Sequence, residues 1–273
     1  MQITSAMKMV SAAKLKRAQD AITAMHPYSE KLTELLQNLS ATLDADMGGK
    51  YSEQREVNNV LVVAITSNRG LAGAFNSNVI KETRDLVADT YAGKKVDFMT
   101  LGKKGNDILK KNNPILENNN DIFDNLSFDG TAEIAEKLMD FYSGGKYDKI
   151  VLVYNSFKNA ATQVVMAEQF LPIMPAQNTV AESKSSDTFY IFEPSKEEIV
   201  EALIPKSLKT QLFKALRDSV ASEHGARMTA MHKATDNATE LRDALKLQYN
   251  KARQASITNE ILEIVGGAEA LAG

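Results

Sequence analysis

The segment Ser67–Asn76, SNRGLAGAFN, is the part of this sequence most suggestive of chemistry. It follows an apolar, strand-like run and precedes an amphipathic one. Strand, glycine loop, helix is the layout in which backbone N–H groups and a helix N-terminus hold a phosphate. The spacing Gly70-x-x-Gly73 fits neither the dinucleotide fingerprint nor a P-loop. A P-loop ends in glycine-lysine-serine/threonine, and Gly93-Lys94-Lys95, Gly102-Lys103-Lys104 and Gly144-Gly145-Lys146-Tyr147 all depart from that ending. The favoured reading of the loop is a tight strand-to-helix turn.

Other chemistry finds no constellation. The 3 histidines, His26, His224 and His232, are scattered, and there is no cysteine, so neither a metal cluster nor a disulfide framework is expected. No HExxH and no GxSxG pattern occurs. The carboxylate pairs Glu197–Glu198 and Asp218–Glu223 are expected to sit on solvent-facing helix surfaces. The chain therefore reads as a non-enzyme with no cofactor. A net charge of -3 argues against a general nucleic-acid binder, and no apolar run approaches the roughly 20 residues needed to span a bilayer. The N-terminal cations Lys8, Lys14, Lys16 and Arg17 precede any acidic residue and suit either a solvated helix face or docking on nucleic acid, acidic lipid or acidic loops of a partner.

Three zones must position whatever these residues do. From Met1 to about Asp46, Leu15, Ala18, Ile22, Met25, Ser29, Leu32, Leu36, Leu39 and Leu43 recur at steps of three and four. That spacing predicts one apolar seam on a long helix, with Pro27 kinking it or removing one hydrogen bond. From about Val57 to Pro194 the period changes. Val60–Thr66, Val96–Leu101 and Ile150–Tyr154 read as buried strands, and Asn78–Tyr91 and Ala132–Tyr142 as helices between them, so a largely parallel sheet is expected. Thr162–Leu171 and Thr188–Phe192 are expected to add late strands, while Asn112–Asn120 and Gln177–Asp187 read as polar connections.

In the third zone, Ser195 and Glu198 form a capping box for a short helix ending before Pro205. A second helix is then predicted from Lys206 to about Val265, about 90 Å long. Its seam runs His224, Met228, Met231, Thr235, Ala238, Leu241, Leu245, Gln248, Ala252, Ala255, Asn259 and Leu262. No compact domain of this size buries such a length. The expected fold is therefore α/β: a long antiparallel coiled coil of N- and C-terminal helices (1–56 and 195–273) with an inserted Rossmann-like α/β domain (57–194). The many alanines in the second seam bury little area, so partners are expected to enclose the coil.

Several segments now resemble the gamma subunits of F-type ATP synthases. ITSAMKMVSAAKLKRAQ at Ile3–Gln19 is similar to that family's N-terminal helix, and SNRGLAGAFN to its first strand-turn. Ser222–Leu271, beginning SEHGARMTAMHKATDNATELRD and containing YNKARQASITNEILEIVGGAEAL, is similar to its C-terminal signature almost throughout. The resemblance implies a rotating shaft inside a ring of alpha and beta subunits (alpha3beta3), its α/β foot against the epsilon subunit and the c ring. ATP chemistry would belong to the beta subunits, and proton-driven rotation of the c ring would be coupled to ATP synthesis there.

Residue by residue, the resemblance implies beta-subunit contacts for Met7, Lys8, Arg227, Arg253, Gln254, Thr258 and Glu260. It implies an apolar bearing tip at Ile261, Leu262, Ile264 and Val265, and foot contacts with epsilon or the c ring at Tyr190 and Glu193. Family members carry further residues before the segment that begins here at Met1, and the cysteine-bearing insertion of chloroplast members is absent. The expected location is the cytoplasmic face of a bacterial inner membrane, with the matrix side of a mitochondrial inner membrane as the alternative. Direct membrane insertion and nucleic-acid binding are not expected. The rival readings are a non-rotary helical scaffold with an α/β head and a nucleotide-dependent enzyme using Ser67–Asn76.

Overall fold

The computed structural model describes residues 2–40, 50–173 and 196–273. The strand expected at Thr188–Phe192 lies outside them. Two long helices, α1 (Gln2–Ser40) and α5 (Lys196–Ala272, 77 residues), frame the chain. Between them come β1 (Asn59–Ile65), α2 (Phe75–Asp89), β2 (Lys95–Leu101), α3 (Lys103–Leu109), β3 (Ile115–Asn119), α4 (Phe128–Ser143), β4 (Lys149–Phe157) and β5 (Gln163–Leu171).

The strands form one sheet in the order β3-β2-β1-β4-β5. Pairing is parallel throughout except for the antiparallel β4–β5 hairpin. Alternation along β1 divides the core in two. Val60, Val62 and Ala64 pack with Val79 and Ile80 of α2 and Phe98 of β2. Leu61, Val63 and Ile65 face the opposite layer, built from Ile134, Leu138 and Tyr142 of α4 and Leu208, Leu212 and Leu216 of α5. Both faces of β1 are covered, which is why its sequence is a continuous apolar run rather than an alternating one. The helix α4 starts at Ser127, whose side chain accepts a hydrogen bond from the Gly130 N–H.

Three expectations change. Ile115–Asn119 lies within the predicted polar connection, yet it forms β3, a half-exposed edge strand beside β2. The short helix α3 was not anticipated either. The helix expected to stop before Pro205 instead runs on through it, so α5 is longer than predicted at both ends. Proline removes one backbone hydrogen bond, but Ile204, Leu208 and Leu212 around it are buried in the sheet's core, and that packing holds the helix together. Pro27 likewise lies inside α1.

The two long helices pack against each other. Leu15, Ala18 and Ile22 of α1 form a buried cluster with Ala221 of α5, with Val220 and Met228 at its margin. Thr4 and Thr235 are hydrogen-bonded through their hydroxyls at 2.7 Å, and the Lys206 ammonium lies 5.8 Å from the Tyr28 ring centre. Early residues of α1 thus meet late residues of α5, so the pair is antiparallel.

Candidate interaction surface on the long helices

The glycine loop is built inward. Asn76 Oδ1 accepts from the Ser67 N–H at 2.9 Å, and the Ser67 hydroxyl donates to the Arg69 carbonyl at 2.6 Å. Asn155 of β4 donates to the Phe75 carbonyl at 3.1 Å. Leu71 is held at a φ of 61° and Gly73 at 58°, the left-handed region that glycine enters readily and leucine does not. The loop also packs on the long helix: Ala72 and Phe75 cluster with Ala226 of α5.

Arg227 completes the closure. Its Nη2 donates to the carbonyls of Arg69 at 3.1 Å and Gly70 at 3.2 Å, and its Nη1 pairs with Glu223 at 2.6 Å. Only 7% of Arg227 is exposed. The structure therefore turns this residue, expected at a beta-subunit contact, into the chain's own interior. Glu223 and Asp218, expected on a solvated face, are also covered: Asp218 is buried and accepts from the Ser156 hydroxyl at 3.1 Å. Burial raises the Glu223 carboxyl above its usual range, partly offset by the Arg227 charge. Next to it, burial and the charges of Arg227 and Lys14 push His224 down to about 4. Its Nδ1 is buried with no hydrogen-bond partner among the described residues.

Beyond this cluster α5 changes character. Thr235, Ala238 and Thr239 are half-buried, and residues 240–249 and 251–271 are exposed. Arg253, Gln254, Thr258 and Glu260 all lie on this exposed stretch, and the Thr258 hydroxyl bonds back to the Gln254 carbonyl at 2.8 Å. Ile261, Leu262, Ile264 and Val265 are between 52% and 71% exposed, so the apolar tip has nothing covering it among the described residues. Leu241, Leu245 and Tyr249, earlier on the same helix, are exposed as well. Met7 and Lys8 are half-exposed near the start of α1, while Ile3, Met9 and Val10 stand out in solvent. Tyr190 and Glu193 lie outside the described residues.

The sequence-predicted contact residues thus separate into three groups. Arg253 to Val265 share one continuous exposed helix, Met7 and Lys8 sit on α1, and Arg227 is enclosed. Two residues that matter to the enclosed group, Glu223 and Gly225, were not singled out for it. The usable signals were the Glu223–Arg227 spacing of four and the small residues Gly225, Ala226 and Ala230 around it.

Among the described residues there is no group of three or more His, Cys, Asp or Glu side chains placed to hold a metal, and no helix long and apolar enough to cross a membrane. What the surface offers is a charged and polar band followed by an apolar end, a pattern for protein partners.

Comparison with known proteins agrees. A family profile described as ATP synthase matches residues 1–271. The ATP synthase gamma chain of Flavobacterium psychrophilum is 70% identical over 273 residues, covering 100% of this chain and 94% of that protein. That of Flavobacterium johnsoniae has the same identity and coverage. Among solved structures, the central stalk and c-ring of the Tetrahymena thermophila mitochondrial ATP synthase contains a chain that matches with a TM-score of 0.65. It is 26% identical and covers 85% of this chain and 99% of its own length. The chain belongs to the ATP synthase gamma-chain family.

Proposed function

We infer that the chain is the central rotary shaft of an F-type ATP synthase, carrying rotation of the c ring to the beta subunits of the alpha3beta3 ring. One observation carries this reading: about 50 Å of α5, at 1.5 Å per residue, leaves the α/β head with its apolar face uncovered. A helix of that length with exposed Leu241, Leu245, Ile257, Ile261 and Leu262 needs an enclosing partner. The chain is a non-catalytic subunit, and the nucleotide chemistry takes place on the beta subunits.

Met7, Lys8, Arg253, Gln254, Thr258 and Glu260 supply the directional contacts to beta subunits. The shaft has different side chains around its axis, so each of three surrounding subunits meets a different face and is biased toward a different state. The work it transmits is limited by the difference in contact energy between those states. Ile261, Leu262, Ile264 and Val265 form the bearing, where apolar contact has no directional bonds to break on turning. For Tyr190 and Glu193 the family resemblance supports contacts with epsilon or the c ring. The peripheral position is on the cytoplasmic face of a bacterial inner membrane, a reading supported by the bacterial relatives.

Co-expression with alpha and beta subunits tests the reading. The expected result is one complex with the mass of an alpha3beta3 ring plus a single copy of this chain, with ATPase activity that rotates the head against the ring. A static adaptor would co-purify without rotation, and that outcome would replace the shaft with the scaffold reading.

A further inference from the structure

The loop Ser67–Asn76 has no part in the contacts above, yet its geometry gives it one. Where the C-terminal ends of the strands meet α5, two turns of the head reach the helix from different sides. The β1–α2 loop places Ala72 and Phe75 on Ala226, and a Cβ built on Gly73 would lie 3.8 Å from the Ala230 Cβ. The β4–β5 turn presses Ala160 onto Gly225 so closely that a Cβ there would meet the Ala160 carbonyl oxygen at 3.1 Å. The Thr229 hydroxyl donates to that same carbonyl at 3.1 Å. Arg227, on the same stretch of helix, adds to the first of these grips: it is forked onto the Arg69 and Gly70 carbonyls and braced by Glu223.

We propose that Gly225–Ala230 is a torsional collar, and that Arg227 is the positioning residue that fixes the rotational setting of the exposed part of α5 relative to the α/β head. The proposal rests on the shaft reading for its purpose, though not for its geometry. Small apolar contacts resist separation of two surfaces but not sliding about a helix axis. A planar guanidinium on two successive carbonyls is directional and does resist it. Side chains lie roughly 5–6 Å from a helix axis, so a turn of roughly 20° moves them by about 2 Å, enough to break these bonds. The collar ends just before α5 leaves the head, so a torque applied to the head passes through it to reach the exposed helix. The left-handed backbone at Leu71, next to the clasped carbonyls, is the kind of local strain that surrounding contacts must hold in place.

The absence of native cysteine makes a direct test possible. Spin labels at Ser77→Cys on the head and Leu245→Cys on α5, in the isolated full chain, report the spread of head-to-helix distances. Arg227→Lys keeps the charge and loses the fork, so that spread is expected to widen by roughly two-fold. In the assembled complex with alpha and beta subunits, the angular variance of a bead on the head of a stalled rotor is expected to rise similarly. Gly73→Cys with Ala230→Cys, at the separation usual for a disulfide, then supplies a replacement clamp. In the Arg227→Lys background, oxidising that pair is expected to restore the narrow angular variance, and reducing it to lose it again. An unchanged spread in Arg227→Lys, or a closed disulfide that fails to narrow it, overturns the collar. A wild-type chain that does not rotate in the complex would instead sink the shaft reading, and the spin-label measurement would still decide the collar. If Arg227→Lys does not fold, the oxidised cysteine pair in the otherwise unchanged chain must leave the variance equal to or narrower than that of the same pair reduced, which carries the same strain at Gly73; a wider one overturns the proposal.

Discussion

The lower and upper parts of α5 are one helix with two environments. From Ile204 to Met231 it buries Leu208, Leu212, Ala215, Leu216 and Ala221 against the sheet and α1. From residue 240 it buries almost nothing, although leucine and isoleucine are if anything more frequent there. Composition does not separate the two parts; the neighbours do. The lower part is stabilised within its own chain, whereas the upper part depends on contacts that other chains provide. In one element, therefore, the same residue types serve folding in one place and assembly in another.

Substitution measures that contrast most strongly. Leu212→Ala, at a fully buried site, is expected to cost the isolated chain about 2–5 kcal/mol in denaturant unfolding. Leu245→Ala, half exposed, is expected to change it by less than about 0.5 kcal/mol. Equal costs at the two sites would mean that the upper helix is covered in solution, and the contrast would fail.

A smaller effect comes from pH. His224 is held neutral by burial and by neighbouring Arg227 and Lys14, with its pKa pushed down to about 4. In the unfolded chain it titrates near 6.5. Between those values the unfolded state takes up a proton that the folded state refuses, so stability falls as pH drops from 6.5 and levels off below about 4. His224→Gln is expected to flatten that part of the pH profile, by an amount on the order of 1–3 kcal/mol between its ends. An unchanged slope would place the ring in solvent instead of under the collar. On the exposed face of α1, breaking the Lys16–Asp20 pair with Asp20→Ala is expected to cost less than about 0.5 kcal/mol, because both side chains are well solvated.

Removing residues 262–272 should have the smallest effect on the isolated chain, moving its melting temperature by less than about 2 °C. The same truncation should loosen seating in the ring and lower ATP-coupled rotation, with nucleotide affinity of isolated beta subunits unchanged. A large fall in the isolated chain's melting temperature would show that the tip contributes to folding after all.

How much of this was legible in the sequence follows from burial. β1 and β4 carry continuous apolar runs because both sheet faces are covered, and the seam Leu15–Ala18–Ile22 is visible because α5 covers it. β3, written ILENN, is a half-exposed edge and carries no such run. Pro205 signals a helix end that the packing around Ile204 and Leu208 overrides. Asp218 and Glu223 look like surface charges until the sheet, α1 and the glycine loop close around the same helix. The exposed contact residues could be reached only through resemblance. No periodicity marks Arg253 or Glu260, because the surfaces that give them meaning belong to other chains.

The uncovered staircase of Leu241, Leu245, Ile257, Ile261 and Leu262 has a consequence for the cell as well as for the machine. A copy made without its companions displays the kind of greasy surface that draws proteins into aggregates and attracts chaperones and proteases. Surplus copies are therefore expected to be short-lived, and the supply of ring subunits to set how much of the chain accumulates.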